Sequence, residues 1–357
     1  MSSSLNQPFS IGIIGGGQLA KMLSIAAYNM GCLTHILTDD PDAPAIPISH
    51  KCFLGDLSDP MLIRSFLDSV DIATYETENI PNQLLEVIKR YDKVIPNSNA
   101  VYIAKNRLFE KDFINQQDIR TVPYSLLKNH SDLNKIGYPF ILKKITGGYD
   151  GKLQYRINSN EDLKKIKIHD IVESQQYIIE KYINFSKEVS VILARNKQRE
   201  VKHFPIAENV HKCGILQSSF VPITIKSIQK TLILDYAYKL AHALDIVGLI
   251  AVEFFIDNSG NILVNEIAPR PHNSGHWSID VCNVSQFEQL VYILMNLPMK
   301  DVKLFSACMT KNLLGTEIYS SITKYHNNDS KVYVYGKNKT TSNRKMGHVN
   351  ILNNSKT

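Results

Sequence analysis

The stretch from Asn265 to Trp277 constrains the fold more than any other part of the sequence. It holds a carboxylate, an arginine, an asparagine pair, two histidines and the single tryptophan. Pro269 and Pro271 exclude a continuous helix and disfavour a central strand, because proline lacks an amide hydrogen. We therefore expect a rigid, extended loop that leaves a strand and holds its polar side chains around a ligand.

Two predicted strands, Val247–Asp257 and Ile262–Ile267, precede this loop and are joined by residues typical of a hairpin turn. A turn centred on Ser259–Gly260 places Glu253 opposite Glu266. Facing carboxylates, with Cβ atoms about 4.5–5.5 Å apart, need a cation or a shared proton. We therefore predict a Mg²⁺ site on this pair, completed by substrate phosphates. A three-residue loop would instead shift the register and turn one glutamate to solvent.

Length and charge narrow the class of protein. The 357 residues are enough for two or three domains, and the net charge of +6 suits anionic small molecules at least as well as nucleic acid. The sequence has no nucleic-acid motif, no membrane-spanning apolar run and no signal-peptide pattern, so we expect neither nucleic acid nor membrane as a partner. The five scattered cysteines lack metal spacing, and we expect free thiols in a cytoplasmic protein.

A glycine-rich turn follows the first predicted strand, Phe9–Ile14, and precedes a predicted helix, Leu19–Met30. The turn Gly15–Ala20 satisfies the pattern G-x-G-x-x-A. Three interpretations stay open at this point. The turn could serve a nicotinamide dehydrogenase with Asp39 or Asp40 on the ribose, it could bind another phosphate, or it could be a tight turn without a ligand.

Charged residues follow the next predicted elements. Glu76 and Glu78 come directly after the predicted strand Val70–Tyr75, where the crevice of a doubly wound sheet would lie, but a role at a helix start is equally open. A basic helix is predicted over Ala104–Lys111. Its Arg107 faces either a phosphate or solvent.

The predicted strand Tyr138–Lys144 leads into a glycine-rich loop, Thr146–Lys152. Its glycines permit close approach of the backbone to a ligand, and with Lys143 beside it the loop could cover a nucleoside triphosphate. The Walker A pattern is absent. Further along, Glu188 and His211 face either a site or water.

Taken together, the chain resembles the ATP-grasp enzymes and, among them, most closely the N5-carboxyaminoimidazole ribonucleotide synthetase family. The glycine turn is weak support alone, whereas the Tyr-Asp loop combined with the proline-rich run is specific. The motifs occur in the family's order and are Gly15–Leu19, Thr146–Gly151, Asn184–Ser190, Asn265–Arg270 with His272–Trp277, and Arg344–His348.

The resemblance implies an α/β and α+β fold with three domains. The first, residues 1–104, is a doubly wound pre-ATP-grasp domain. The second, residues 105–185, is a small lid, and the third, residues 186–357, is the C-terminal ATP-grasp domain with a β-rich end. ATP is expected between the lid and the third domain, and a homodimer is expected.

The implied activity is that of an ATP-dependent carbon–nitrogen ligase. Bicarbonate and ATP would carboxylate 5-aminoimidazole ribonucleotide through carboxyphosphate, with Mg²⁺ as cofactor, in purine biosynthesis. The alternatives within the superfamily are a formate-dependent glycinamide ribonucleotide transformylase or another ATP-grasp carboxylate or bicarbonate ligase. A dehydrogenase is disfavoured, because only the glycine turn supports it.

The resemblance also assigns site residues. The implied catalytic residues are Arg270, His272, Asn273 and Asp150. The implied substrate-binding residues are Gly17, Gln18, Glu76, Tyr149, Asp150, Arg344 and Lys345. The implied ATP-binding residues are Arg107, Lys143, Gly148, Tyr149, Asp150, Gly151, Lys152, Leu153, Gln154, Glu180, Lys181, Tyr182, Ile183, Glu188, His211, Asn265 and Glu266, with Glu253 and Glu266 on the metal.

Two departures from the family pattern stand out. Many ATP-grasp enzymes have an asparagine two residues after the second metal glutamate, where this chain has Ala268, so the metal could lean on Asn265, water or phosphate. The chain also ends soon after His348, where related proteins usually carry another helix. We expect Trp277 to pack in the core and assign no role to His276.

Overall fold

The computed structural model describes residues 8–148, 153–326 and 329–353 of the chain. These residues form a four-stranded parallel sheet, a four-stranded antiparallel sheet and a nine-stranded antiparallel sheet, which confirms the predicted mixture of α/β and α+β structure. All five cysteines are free thiols. None of the helices in these ranges has the length and apolar character that crossing a bilayer requires.

The parallel sheet comes first in the chain. Its strands are β1 (Ser10–Ile14), β2 (Leu33–Thr38), β3 (Lys51–Leu54) and β4 (Ile72–Tyr75), and its helices are α1 (Gln18–Asn29), α2 (Pro60–Asp68), α3 (Asn82–Ile88) and α4 (Ser98–Ala104). Its central strands are short apolar runs, as a sheet covered by helices on both faces requires. The order β3-β2-β1-β4 reverses between β1 and β4, so a crevice opens beyond their carboxyl ends.

The second sheet has the order β5-β8-β6-β7 and its own small core around Phe140, Leu142 and Ile179. Its strands are β5 (Tyr124–Leu126), β6 (Phe140–Lys144), β7 (Gln154–Ile157) and β8 (Tyr177–Lys181), and the helices in this part of the chain are α5 (Arg107–Gln116), α6 (Leu133–Ile136), α7 (Asn160–Lys164) and α8 (Ile168–Ser174).

The third sheet has the order β14-β13-β9-β11-β12-β15-β17-β16, with β10 paired to β9. Its strands are β9 (Phe185–Arg195), β10 (Val201–His203), β11 (Ala207–Lys212), β12 (Ile215–Val221), β13 (Gly248–Asp257), β14 (Ile262–Ala268), β15 (Cys308–Leu314), β16 (Ser330–Val334) and β17 (Lys345–Leu352), and its helices are α9 (Ser227–Ala243), α10 (Ser278–Val281), α11 (Gln286–Leu294) and α12 (Glu317–Lys324). Single 3-10 turns cover Ile46–Ile48, His130–Asp132 and Asn273–Gly275.

One hydrophobic core joins the first sheet to the third. Leu23 of α1 and Leu290 of α11 belong to it, as does Trp277, which is buried as expected. The second unit is attached through β14, where the amide of Val264 donates to the carbonyl of Arg120 over 2.9 Å. The loop after β14 therefore lies where all three units meet.

The predicted helix over Ala104–Lys111 is wrong as a single element. Helix α4 ends at Ala104 and α5 begins at Arg107. Asn106 separates them, because its side chain accepts hydrogen bonds from the amides of Leu108 and Phe109 and so caps a new helix. Arg107 is the first residue of the new helix, and its side chain contacts Glu266.

Gly347 in β17 has no room for a side chain, because a Cβ there would lie 2.4 Å from the carbonyl oxygen of Tyr333 in β16. We expect Gly347→Ala to lower the free energy of unfolding by about 1–3 kcal/mol, measured by urea denaturation. Gly55→Ala is the control, since its Cβ meets only the mobile end of Leu62. Equal stability of the two variants would contradict the close approach of the strands.

Candidate active site

A cleft of about 920 Å³ is lined by residues from all three units. The glycine turn and the ends of β1 and β4 form one side, the second sheet forms another, and β13, β14 and the following loop form the floor. The predicted site residues that line it are Gln18, Glu76, Arg107, Lys143, Gly148, Gln154, Tyr182, Glu188, His211, Glu253, Asn265, Glu266, Arg270, His272, Asn273 and Lys345.

Other predicted site residues do not line the cleft. Lys181 points to the carbonyls of residues 136–138, and Arg344 donates to the carbonyl of Lys339 over 2.8 Å. Tyr149, Asp150, Gly151 and Lys152 lie outside the described residues. The predicted residues that the structure describes but leaves outside the lining are Gly17, Leu153, Glu180, Lys181, Ile183 and Arg344.

Glu253 pairs directly with Glu266, as the sequence predicted, but for a different reason. Near the turn, Phe254 pairs with Val264 and Ile256 with Ile262, which is the register of a three-residue loop. A β-bulge at Asn265 adds one residue to β14 and restores the pairing of the two glutamates. The turn was therefore predicted wrongly, and the bulge brings the carboxylates together.

The two carboxylates differ in protonation. Burial, and then the charge of Glu266, raise the pKa of Glu253 to about 7. Burial also acts to raise the pKa of Glu266, but Arg107 and Lys143 outweigh it, so that pKa lies below its ordinary value. The pair is thus a carboxylate centre with positive groups on both sides: Arg107 and Lys143 act on Glu266, whereas His211 and Lys345 act to lower the pKa of Glu253.

Helix α5 supplies charges from one face. Arg107 lies 3.2 Å from Glu266, and one turn later Glu110 accepts a hydrogen bond of 2.6 Å from the amide of Ile267. Lys111 lies 3.1 Å from Glu180. Residues three and four apart share a helix face, so a single helix fixes β14 and the second sheet together.

The Glu180 side chain faces away from the cleft. It lies between Lys111 and Lys143, with Lys143 2.7 Å away. Burial opposes its ionisation, but the two lysines lower its pKa to about 2. Glu180 therefore holds Lys143 at the cleft wall, and a ligand in the cleft could reach Glu180 only through its backbone.

Arg270 is already engaged by a protein carboxylate. Its Nε donates to Oε2 of Glu78, its Nη2 donates to Oε1 of Glu78 over 3.0 Å, and its Nη1 donates to the carbonyl of Pro271 over 3.0 Å. The bidentate edge that was predicted to hold bicarbonate thus holds Glu78 in this structure. An anion would bind the remaining edge or displace Glu78.

Two imidazoles flank the carboxylates. Nδ1 of His272 accepts from the Ser274 amide over 3.4 Å, so a neutral ring carries its proton on Nε2, which lies 3.5 Å from Glu253. Burial, and then Arg270, lower the pKa of His272 to about 3. Nδ1 of His211 lies 2.6 Å from Glu188. Burial acts to lower the pKa of His211, but Glu188 and Glu253 outweigh it, so that the pKa is raised on balance.

Three consecutive parts of the chain match models of known protein families. Residues 9–105 match the ribonucleotide synthetase preATP-grasp domain, and residues 112–287 match the ATP-grasp domain. Residues 307–357 match the phosphoribosylaminoimidazole carboxylase C-terminal domain.

The N5-carboxyaminoimidazole ribonucleotide synthase of Brucella melitensis is 36% identical over 351 residues, which cover 97% of both chains. The chain belongs to the N5-carboxyaminoimidazole ribonucleotide synthase family. A solved structure of the Staphylococcus aureus synthetase with ADP is 33% identical, covers 98% of this chain and 95% of that one, and has a TM-score of 0.91. The Aspergillus clavatus synthase, solved with ADP and 5-aminoimidazole ribonucleotide, is 24% identical, covers 97% and 94%, and shares the fold with a TM-score of 0.88.

The glycine turn of this family member serves a carboxylate of its own chain. Glu76 accepts from the amides of Gly17, over 2.6 Å, and Ala20, over 3.2 Å, at the start of α1. A Cβ on Gly15 or Gly17 would lie 2.4 or 2.6 Å from Glu76. Glu76 therefore stabilises the start of α1, and it also lines the cleft, where its contact with a ligand stays a prediction. A phosphate at the Gly17 amide, as predicted, would have to displace the Glu76 carboxylate.

Sequence reasoning missed several charged groups. Glu110 and Lys111 were not selected, although their spacing from Arg107 places them on one helix face. Lys337 also lines the cleft, but it follows a strand in an irregular segment and no pattern marks it. Arg156 stacks on the ring of Tyr182 at 3.9 Å, a contact between β7 and the segment after β8 that spacing does not reveal.

Glu76→Ala should destabilise the protein without any ligand, because two buried amides at the start of α1 lose their acceptor. We expect the free energy of unfolding to fall by about 1–3 kcal/mol in urea denaturation. The exposed Glu86→Ala serves as control. A Glu76→Ala protein as stable as the control would favour a role in substrate binding alone.

Proposed function

We propose that the protein carboxylates 5-aminoimidazole ribonucleotide to N5-carboxyaminoimidazole ribonucleotide with ATP and bicarbonate, in purine biosynthesis. The observation that carries this is family membership over 97% of the chain, in a molecule whose cleft gathers the paired glutamates, the cations Arg107 and Lys143 and an arginine after β14. Such an arrangement suits phosphoryl transfer, which needs positioning and charge neutralisation more than covalent help.

For ATP, we propose that Arg107, Lys143 and the segment from residue 148 to residue 154 attend the phosphates. Both cations line the cleft and each is held by a carboxylate, Arg107 by Glu266 and Lys143 by the buried Glu180, so they need little reorganisation on binding. Residues 180–183 would contact the base, Glu180 through its backbone, and Glu188, held by His211, would face the ribose.

The residues present fit Mg²⁺. Glu253 and Glu266 supply carboxylates, and the buried Oδ1 of Asn265 has no donor among the described residues, so it offers a third oxygen where Ala268 replaces the usual asparagine. No group of three or more His, Cys, Asp or Glu side chains in the described ranges forms a metal site alone, which leaves positions for phosphate oxygens. Bound there, Mg²⁺ would neutralise charge developing on the transferred phosphoryl group.

The proposed reaction has two steps. An oxygen of bicarbonate attacks the γ-phosphorus, the bond to ADP breaks, and carboxyphosphate forms. The amine of the ribonucleotide then takes the carboxyl group, directly or as CO₂, phosphate leaves, and Asp150 accepts the amine proton. Arg270, His272 and Asn273 would hold bicarbonate, and Lys345 would bind the 5′-phosphate of the acceptor.

The acceptor site would lie against the first sheet. Gln18 and Glu76 line this side of the cleft, and Lys345 lines it from β17. Tyr149 and Asp150, which lie outside the described residues, are proposed to bind the imidazole. We also propose the three-domain division at residues 104 and 185, a homodimer and, since all five cysteines are free thiols, a cytoplasmic location.

The substrate requirement is the direct test. ATP hydrolysis should need bicarbonate and aminoimidazole ribonucleotide together, and Glu266→Gln should abolish it while the circular dichroism spectrum stays unchanged, because one of the paired carboxylates is lost. ADP release is measured in a coupled assay. Turnover with formate and glycinamide ribonucleotide instead would reject the proposal in favour of a transformylase, and an active Glu266→Gln would reject the metal role.

Arg270→Ala should lower kcat on the order of 10²-fold or more, because an anion-stabilising donor is removed. The variant also leaves Glu78 buried without its partner, so Arg270→Ala combined with Glu78→Gln is the necessary control. Steady-state kinetics decide the matter. A loss of a few-fold, or recovery in the double variant, would mean that Arg270 serves only to neutralise Glu78.

A further inference from the structure

His276 lies directly beneath the cleft and has no exposed surface. Its ring is stacked between Phe287, with centroids 6.0 Å apart, and His348 of β17, with centroids 4.6 Å apart. Its carbonyl accepts a hydrogen bond of 3.1 Å from Nδ2 of Asn350. Contacts with α11 and β17 therefore fix the position and the orientation of the imidazole.

The single polar contact of the ring is with Asn273 in the part of the chain that the structure describes. Nε2 of His276 lies 3.2 Å from Oδ1 of Asn273, and a carbonyl oxygen only accepts, so Nε2 must carry the proton. The other nitrogen, Nδ1, is buried without a partner. A phenylalanine would pack here without leaving a polar atom unpaired, so packing alone does not explain a histidine.

The hydrogen bond fixes which end of the Asn273 amide faces the cleft. Oδ1 is held by His276 and, over 3.4 Å, by Nε2 of Gln18. Asn273 lines the cleft, and among described residues nothing accepts from its Nδ2. The amide nitrogen, a donor, is thus the atom offered to a ligand, and a donor is what an anion requires.

We propose that His276 is a positioning residue for the carboxyl donor: it holds the Asn273 amide so that Nδ2 donates to bicarbonate and to the carboxyphosphate derived from it. This rests on the proposed function. Without the His276 N–H, the amide can rotate and present its oxygen to the anion. Loss of this N–H should therefore lower kcat/KM for bicarbonate and leave the KM for ATP nearly unchanged, because the residues proposed for the nucleotide do not contact His276.

The test compares His276→Phe, which keeps the stacked ring and removes the donor, with His276→Gln, which keeps an N–H. His348→Phe is the matched control, since His348 is equally buried in the same stack but bonds Tyr335 instead of Asn273. We expect kcat/KM for bicarbonate to fall roughly fivefold to tenfold in His276→Phe, with the KM for ATP within about twofold, and to be partly restored in His276→Gln.

A double-mutant cycle shows whether His276 acts through Asn273. In an Asn273→Ala background, His276→Phe should cause no further loss in kcat/KM for bicarbonate. Additive losses, or an equal loss in His348→Phe, would overturn the proposal and reduce His276 to a packing residue. A wild-type protein that shows no bicarbonate-dependent turnover would reject the proposed function itself, and with it the ligand assigned to Asn273.

Discussion

The cleft depends on one extra residue in a β-strand. The bulge at Asn265 shifts the ladder between β13 and β14, so that Glu253 and Glu266 face each other. Without it, the three-residue turn would direct one of the two carboxylates to the opposite face of the sheet. Two carboxylates at paired positions of neighbouring strands repel each other. The positive charges of Arg107, Lys143 and Lys345 offset this repulsion. Much of the cleft's charge distribution follows from this pairing.

The charged groups form short buried chains instead of isolated pairs. Lys111, Glu180 and Lys143 make one chain, and Arg107 continues from Glu266 towards the glycine-rich loop, donating to the carbonyl of Gly148 over 3.2 Å. Because each charge has a fixed neighbour, the cations facing the cleft are oriented before a substrate arrives. Preorganised charge of this kind stabilises a transition state at little cost in reorganisation.

The sequence was sufficient for features that arise locally and insufficient for those that arise from contacts between distant segments. The hairpin and the loop with two prolines were predicted because strand periodicity, turn residues and proline act over a few residues. The predicted pairing of Glu253 with Glu266 is correct although the predicted turn is wrong, because a bulge at Asn265 compensates for the longer turn. No sequence pattern reveals that bulge. The partners of Glu76 and Arg270 lie 59 and 192 residues away and could not be read from spacing. The break before α5 was readable, because Asn106 is a good helix cap, and was overlooked.

The hydrogen bonds between Glu76 and the glycine turn show that such a turn can bind a carboxylate of its own chain. A turn with the G-x-G-x-x-A spacing is usually interpreted as a binding site for the phosphate of a cofactor. Here the carboxylate of Glu76 accepts a hydrogen bond from the turn. Glu76 gives the amides of Gly17 and Ala20 an oxygen acceptor from the same chain. Gly15, Gly17 and Glu76 therefore form one co-dependent unit, in which a larger residue at either glycine would collide with the carboxylate. In a chain of this kind the acidic residue after β4 should be sought before a dinucleotide is assigned to the turn.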